Sequence, residues 1–462
     1  MTAPLGNAPL SVGELTDEQY GQVIRPGDAE YDAARTVFVG NADLRPAVVL
    51  RPGDAAQVAR VVALARETGL ELAIRSGGHS WAGHGVCEGG IVLDLARMRA
   101  LEIDVEARTA WAEAGITAGE YTAAAGEHGL ATGFGDDAAV GVGGITLGGG
   151  VGFLTRKYGM TVDDLLAVEI VTADGELLRV DEHQHPDLFW AVRGGGGNFG
   201  VATRFKFRLH ELDAVYGGML VLPVDPGILE AFIAEAEAAP EELSTIVNVW
   251  TAPPVPFVPE EHHGKPIILA MMCYAGPPEA GEEVVGRFRA IAPPLADMVQ
   301  AGTYAGMFRP GDPSVHPLTV SRTLFLDRVD RTTAGTVLEH TAASSALVAG
   351  VQLRVVGGAM ARVPSDATAF AHRQRRIIAN VSAIYADQAE ADLHTVWVEE
   401  FTAAIRQSGP GAYANLSMDL GPDEVRAALY PGATGERLAQ IKAKYDPANV
   451  FRRNHNILPA TS

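Results

Sequence analysis

The segment Gly141-Val-Gly-Gly-Ile-Thr-Leu-Gly-Gly-Gly-Val-Gly152 places six glycines in the ten positions from 143 to 152. A run without side chains adds little to a core, and fixing its many conformations is costly unless close approach of the backbone is useful. It exposes backbone N–H groups suited to a pyrophosphate or to the edge of a flat ring. A packed turn is the competing reading, and the density of glycines favours a bound group. The glycines are concentrated between Gly133 and Gly152 and again from Gly194 to Gly200. Within the second cluster, Gly195-x-Gly197-x-x-Gly200 has the spacing of a dinucleotide fingerprint. That fingerprint follows a strand and opens a helix; here a helical pattern precedes and a strand pattern follows, so a Rossmann site is rejected.

A chain of 462 residues exceeds one ordinary core, and two or more lobes are expected. With 47% apolar and 20% charged residues, the composition is that of a globular protein. The formal charge of −21 repels nucleic-acid phosphates and anionic membrane surfaces, so neither is an expected partner. The start, Met1-Thr-Ala-Pro-Leu-Gly-Asn7, lacks a basic and then apolar leader pattern, and no stretch of about 20 apolar residues occurs; a cytoplasmic protein is expected. Cys87 and Cys273 are too few and too far apart for a disulfide framework or a cysteine zinc site, and read as buried thiols.

Val58, Val61, Val62 and Ala65 follow helical spacing behind the N-cap candidate Asp54, predicting a helix from Asp54 to Thr68. Leu72–Arg75 and Ile91–Leu95 read as strands separated by loops. Leu101, Ile103 and Val105 alternate before Thr109–Trp111, and Leu166–Val180 turns at Asp174-Gly175, predicting two hairpins. Pro186–Val192 reads as a short helix with proline in its first turn. Val201, Thr203, Phe205, Phe207 and Leu209 alternate with more polar neighbours as a half-buried strand. The following 200 or so residues hold proline joints such as Ala252-Pro-Pro-Val-Pro256 and two helical patterns, Gly227–Ala238 and Pro278–Ile291.

His79 lies in the loop Arg75-Ser-Gly-Gly-His79-Ser-Trp81, where its imidazole has no helical face to pack into. That loop, the 141–152 run, Arg193–Gly200, Tyr445-Asp-Pro-x-Asn449 and Asn454-x-Asn456 together resemble the FAD-linked oxidases of the vanillyl-alcohol oxidase superfamily, specifically the berberine-bridge-enzyme-like group. The resemblance covers about residues 40–212 and 410–459. It implies an α+β fold with a two-lobed PCMH-type FAD-binding domain, begun by residues 1–212 and completed by a berberine-like segment at 410–462. Residues 213–409 would form an α+β substrate domain with an antiparallel sheet.

The same resemblance implies covalent FAD, bonded at its 8α-methyl to His79. Many relatives add a second bond through a cysteine; here Asp137 holds that position, so one bond is expected, and Cys87 is not expected to substitute. The implied cofactor contacts are Arg75, Ser76, Gly77, Gly78, His79, Ser80 and Gly83 in the first loop, and Gly135, Asp137, Val140, Gly141, Gly143, Gly144, Thr146, Gly149 and Gly152 in and before the glycine run. Val201, Asn415 and Asn454 join them, with Asn456 ordering the last loop. Val140 matches the position beside the flavin C4a, where valine leaves room for dioxygen. Tyr413, in Gly411-Ala-Tyr413-Ala-Asn415, is implied to position or deprotonate the substrate; a base role needs a neighbouring positive charge to lower its pKa from about 10.

His183, His185, His262 and His263 read as exposed loop residues without metal-ligand spacing, and no metal is expected. Arg354, His372, Arg373 and Arg375 are further candidates to reach the pocket, the last two reading equally well as a solvated helix face. The expected activity is an oxidase taking a hydride from a small-molecule alcohol or amine, preferably a secondary metabolite, and returning electrons to dioxygen. A sugar oxidase, a dehydrogenase with another acceptor and a non-catalytic flavin carrier are the alternatives. A monomer or homodimer is expected.

Overall fold

In the computed structural model, which describes residues 12–461 apart from 253, 309, 310, 313 and 419, local chemistry starts and stops the early elements where the sequence pattern puts them. Residues 1–7, on which the expectation about a leader rests, and Pro253 of the proline joint lie outside the described residues. Asp54 accepts from the Gln57 N–H to begin α1 (Ala55–Thr68), and Gly69, at φ 70°, ends it by donating to the Ala65 carbonyl. Its stripe Val58, Val61, Val62 and Ala65 is buried. This helix carries the chain from β2 (Val48–Arg51) to β3 (Leu72–Arg75). With β1 (Gln22–Ile24) and β4 (Ile91–Asp94) they form a sheet of order β1-β2-β4-β3, in which β2 and β3 both run parallel to β4. The His79 loop leaves from the carboxyl end of β3.

The second sheet has order β5-β6-β10-β8-β9, from Leu101–Asp104, Thr109–Glu113, Val201–Arg208, Leu165–Val171 and Leu177–Asp181, all antiparallel. Both expected hairpins are present, the second turning through Gly175 at φ 87°. Val105 departs from its predicted alternation: it lies past the end of β5 and is 47% exposed. A small ladder joins β7 (Leu130–Ala131) to β11 (His210–Glu211). Part of the glycine run forms a helix, α2 (Val142–Leu147), that propensity does not announce because glycine is a poor helix former. The expected α3 (Pro186–Val192) precedes Gly195–Gly200 and β10 follows, the reverse of a Rossmann context.

The middle of the chain supplies a large antiparallel sheet. Its order is β15-β12-β14-β13-β18-β19-β17, from Ala296–Asp297, Val215–Pro223, Pro266–Tyr274, Leu243–Thr251, Val348–Val355, Ile377–Tyr385 and Leu318–Leu326, with β16 (Gln300–Gly302) also on β12. One face is apolar, with Val247, Val249, Val351, Leu353, Ala379 and Val381 in one cluster. It is covered by α4 (Pro226–Ala238), α5 (Pro278–Arg289), α6 (Arg331–Ala343) and α7 (Ala391–Ile405), which bury Phe232, Phe288, Val337 and Phe401 there. The opposite face carries Asn248, Gln352 and Asn380, which stand in register across β13, β18 and β19.

The chain then returns to the first lobe. Leu429, Leu438, Phe451 and Ile457 share a core with residues from Leu15 to Val215, while most of 216–405 packs in a separate core. A buried ion pair ties this return down. From α8 (Ala433–Tyr445), Lys442 donates to Asp446 at 2.6 Å and to the carbonyls of Asn198 and Phe451, and Asp446 accepts from the Val450 and Phe451 N–H groups. Burial pulls the Lys442 pKa down and Asp446 opposes the shift.

Candidate active site

Between the first lobe and the middle sheet lies a cavity of about 400 Å³. Its first wall is rich in glycine. Gly77 and Gly141 cross in direct contact: a Cβ on Gly77 would lie 2.3 Å from the Gly141 nitrogen, and one on Gly141 would lie 2.2 Å from the Gly77 nitrogen. Ser76 Oγ anchors the loop by donating to the Ala114 carbonyl at 2.6 Å. Gly144 and Gly197 are different, since a Cβ on either meets nothing within 4 Å although both line the cavity. They leave room that a bound molecule can use.

His79 projects from this wall. Phe38 stacks on its imidazole with ring centroids 4.8 Å apart and 13° between planes. Burial lowers the His79 pKa and the Asp137 carboxylate partly opposes that shift, so the ring is neutral at neutral pH. Arg75 lines the cavity too, but its guanidinium is committed to Asp94 at 2.6 Å and to the Thr36 carbonyl. Burial raises the Asp94 pKa, yet Arg75 and Arg51 win and hold it low.

The returning segment crosses the cavity at Tyr413, which is 2% exposed. Its backbone N–H donates to Thr323 Oγ1 on β17, and Ser417 Oγ donates to its carbonyl. Tyr413 Oη accepts from the Val151 N–H and from Asn415 Nδ2, each at 3.0 Å, which leaves its own proton to donate. Asn415 Nδ2 also bonds the Ile145 carbonyl, and it fits because residue 148 is glycine: a Cβ there would lie 1.9 Å from Asn415 Oδ1. Burial raises the Tyr413 pKa; Asn415 and the Arg354 charge oppose it without reversing it. The depression that a tyrosine base requires is therefore not found, because desolvation outweighs the nearby cation.

The middle sheet forms the facing wall with Trp250, Gln352, Arg354, Asn380 and Ser382. Arg354, 7% exposed, reaches across to both oxygens of Asp136 at 3.1 Å and to the Val151 carbonyl, linking the two walls. Its Nε donates to Gln352 Oε1, and Gln352 Nε2 donates to Asn248 Oδ1.

Of the residues expected around the cofactor, Arg75, Ser76, Gly77, Gly78, His79, Ser80, Gly135, Asp137, Val140, Gly141, Gly143, Gly144, Asn415 and Asn454 line this cavity, with Tyr413. Five do not. A Cβ on Gly83 would meet Ala42, one on Gly149 would meet Met160, and one on Gly152 would meet the carbonyls of Phe134 and Gly135, so these glycines serve packing. Thr146 is fully buried in α2 and Val201 in β10. Arg373 is no solvated helix face: it sits in a turn, fully buried, and grips Asp163 at 2.7 and 2.8 Å. Arg375 is half-buried near that turn, and His372 is buried against the Ala428 carbonyl, both outside the lining. His262 and His263 are half-buried where exposure was expected, His263 bonding the Val258 carbonyl, whereas His183 and His185 are exposed. Cys87 and Cys273 are buried thiols pushed up to about 12 by burial. Among the described residues no group of three or more His, Cys, Asp or Glu could hold a metal, and no helix is long and apolar enough to cross a membrane.

Sequence reasoning passed over Phe38, Asp136, Trp250, Gln352, Asn380 and Ser382, all in the lining. The period-two alternation of Trp250 with Asn248, and of Gln352 with Arg354, was the available signal.

A glycine-rich wall with open room at Gly144 and Gly197, a buried Asn454 Oδ1 with no partner among the described residues and a neutral histidine fit a large, flat, phosphate-bearing cofactor. Fold and site define a flavin-dependent oxidoreductase. Residues 46–181 match the family described as FAD binding domain, and 412–458 match the family described as berberine and berberine like. (R)-6-hydroxynicotine oxidase of Paenarthrobacter nicotinovorans is 30% identical over 96% of this chain and 97% of its own length. The structure of 6-hydroxy-D-nicotine oxidase from Arthrobacter nicotinovorans superposes with a TM-score of 0.84 at 27% identity, covering 95% of this chain and 98% of that one. Glucooligosaccharide oxidase from Acremonium strictum, with a 6-S-cysteinyl, 8α-N1-histidyl FAD, shares the fold at a TM-score of 0.83 and 23% identity, covering 96% and 98%. This chain belongs to the berberine-bridge-enzyme-like FAD-linked oxidoreductases of the vanillyl-alcohol oxidase superfamily.

Proposed function

We propose that this protein is an oxidase that carries FAD covalently on His79, takes a hydride from a C–H bond of a small-molecule alcohol or amine, and returns the electrons to dioxygen as peroxide. The observation that carries the reading is that His79, Val140 and Tyr413 open on one cavity faced by the polar sheet wall. Bound FAD supplies the hydride acceptor. His79, kept neutral by burial, presents a free ring lone pair for attachment, and the stacked Phe38 limits how its ring can turn. Asp137 stands where many relatives carry their second attachment, so a single bond is expected.

Tyr413 Oη, accepting two hydrogen bonds, donates a hydrogen bond to the substrate oxygen or nitrogen and orients the carbon to be oxidised, while the substrate's own O–H or N–H proton leaves to solvent. Val140 keeps its part of the wall small enough for dioxygen. The single attachment favours a secondary metabolite over the large sugars handled by doubly attached relatives.

The test is acid precipitation of the purified protein. Flavin should remain with the pellet and move to the supernatant in His79→Ala, and a reducing substrate should release peroxide in air. Release of all flavin from the native protein overturns the role of His79; slow reoxidation in air after anaerobic reduction overturns the oxidase.

A further inference from the structure

Burial keeps the proton on Tyr413 through neutral pH, so the proton that a substrate gives up needs another acceptor. Among the described residues the carboxylates of the cavity are Asp136 and Asp137. Asp137 Oδ1 accepts from the Ala139 N–H, and its charge acts on His79. The histidines of the lining belong to the flavin wall: His79 is the proposed attachment point, and His84 and His455 meet edge to edge with ring centroids 5.0 Å apart. Gln352 Oε1 already accepts from Arg354 Nε, and an amide oxygen does not take up a proton at ordinary pH. That leaves Asp136.

Its geometry suits the task. Arg354 Nη2 touches both Asp136 oxygens at 3.1 Å. An ionised carboxylate has roughly four acceptor sites, and one nitrogen placed between its oxygens leaves lone pairs unused, unlike the paired bonds of a two-nitrogen fork. The Asp136 side chain is 31% exposed and that of Arg354 only 7%, so the carboxylate is the reachable member of the pair. Val151 sets its distance from the phenol: the Val151 N–H donates to Tyr413 Oη at 3.0 Å, and the Val151 carbonyl accepts from Arg354 Nη1 at 3.2 Å. A donor hydroxyl and an acceptor carboxylate are thus held through one residue on one cavity.

We propose that Asp136 is the catalytic residue that takes the substrate's O–H or N–H proton as the hydride leaves the adjacent carbon, and that this proton reaches solvent by way of its carboxylate. The C–H electron pair goes with the hydride to bound flavin, the O–H or N–H pair becomes the second bond of a carbonyl or imine, and the proton goes to Asp136. The substrate is oxidised by two electrons and the flavin is reduced by two, which dioxygen later removes as peroxide. Arg354 keeps its own proton and holds the carboxylate in place. This deepens the oxidase reading and rests on it for the hydride acceptor.

The flavin-loaded protein is mixed without air with 3,4-dimethoxybenzyl alcohol, 3,4-dimethoxybenzylamine and salicin in turn, and bleaching by the fastest of them is timed at saturation. Asp136→Asn and Asp136→Ala should each slow it about 100-fold. Asp136→Asn combined with Arg354→Gln leaves no stranded charge and should be as slow; retained flavin and the melting temperature report whether each variant folds. Added anions then separate a base from a counter-ion. In Asp136→Ala, formate and acetate should restore bleaching, acetate more strongly because it is the better base, whereas chloride, which pairs with a guanidinium but takes no proton, should not. Bleaching within about threefold of native in folded Asp136→Asn or in the double variant overturns the proposal, as does rescue by chloride equal to that by acetate, or no rescue at all. Native protein bleached by none of the probes overturns the oxidase reading and this proposal with it. Fast bleaching followed by slow reoxidation in air overturns the oxidase alone and leaves Asp136 as the proton acceptor.

Discussion

The two walls of the cavity are built from opposite materials. On the flavin side, crossing backbones at Gly77 and Gly141 shape the surface by having no side chains. On the sheet side, Trp250, Gln352, Asn380 and Arg354 shape it with side chains on a flat scaffold whose other face is closed by helices. Backbone amides are alike in every residue, so the first wall suits a cofactor shared by many enzymes. Side chains can change one at a time without disturbing the apolar face, so the second wall is where selection between substrates can reside.

Substitutions can break this contrast. The largest effect is expected for Gly141→Ala, whose Cβ would lie 2.2 Å from backbone with nowhere to retreat. It should cost about 3 kcal/mol or more in denaturant unfolding and abolish flavin retention. A destabilisation under about 1 kcal/mol would show that the crossing is loose.

Acid tests the middle segment. Burial lowers the His372 pKa to about 4, while its bond to the Ala428 carbonyl opposes the shift. The folded state thus binds this proton less readily than the unfolded chain, with its pKa of about 6.5. The neutral ring's contribution is whole above that value and is lost as pH falls toward 4, by up to about 3 kcal/mol. His372→Gln should flatten that part of the stability profile; an unchanged slope between about pH 6.5 and 4 would place the acid sensitivity elsewhere.

Tyr413→Phe should slow flavin reduction by a saturating substrate about 100-fold. In the native protein the rate should stay flat through neutral pH and fall as Tyr413 loses its proton, above its ordinary value of about 10. A rate that climbs with a pKa below about 9 would instead make Tyr413 a base. Asp136→Asn should cost about 2 kcal/mol, because it strands the buried Arg354 charge. The smallest effect on stability belongs to Gly144→Ala. A Cβ there meets nothing, and alanine favours α2, so the flavin-free protein should be unchanged or up to about 1 kcal/mol more stable while flavin binding weakens. Undiminished flavin binding would mean that the open room at Gly144 is not used.

The same contrast explains what the sequence discloses. Glycines crowd together in the chain because one stretch of backbone makes much of the flavin wall, and α1 shows itself through its cap and apolar stripe. Asn248, Gln352 and Asn380 come from three strands far apart in sequence, and no local rule indicates that they share a row. The helices α6 and α7 escaped notice because exposed apolar residues such as Leu393 and Val396 blur the stripe of α7, and threonines interrupt that of α6. Tyr413 was found by resemblance. Its phenolic environment depends on Val151 and on Gly148 making room for Asn415, relationships that exist only after folding.

The lobe that begins near Leu15 is finished by residues at the other end of the chain, stapled by Lys442 and Asp446. During synthesis, the cavity therefore stays open on the side of Tyr413, Asn415 and Asn454 until the final helix and its tail have left the ribosome. A chain interrupted anywhere in the middle lobe would display the His79 loop without the segment that closes over it, and yellow colour in a preparation becomes a sign that translation passed Asn454.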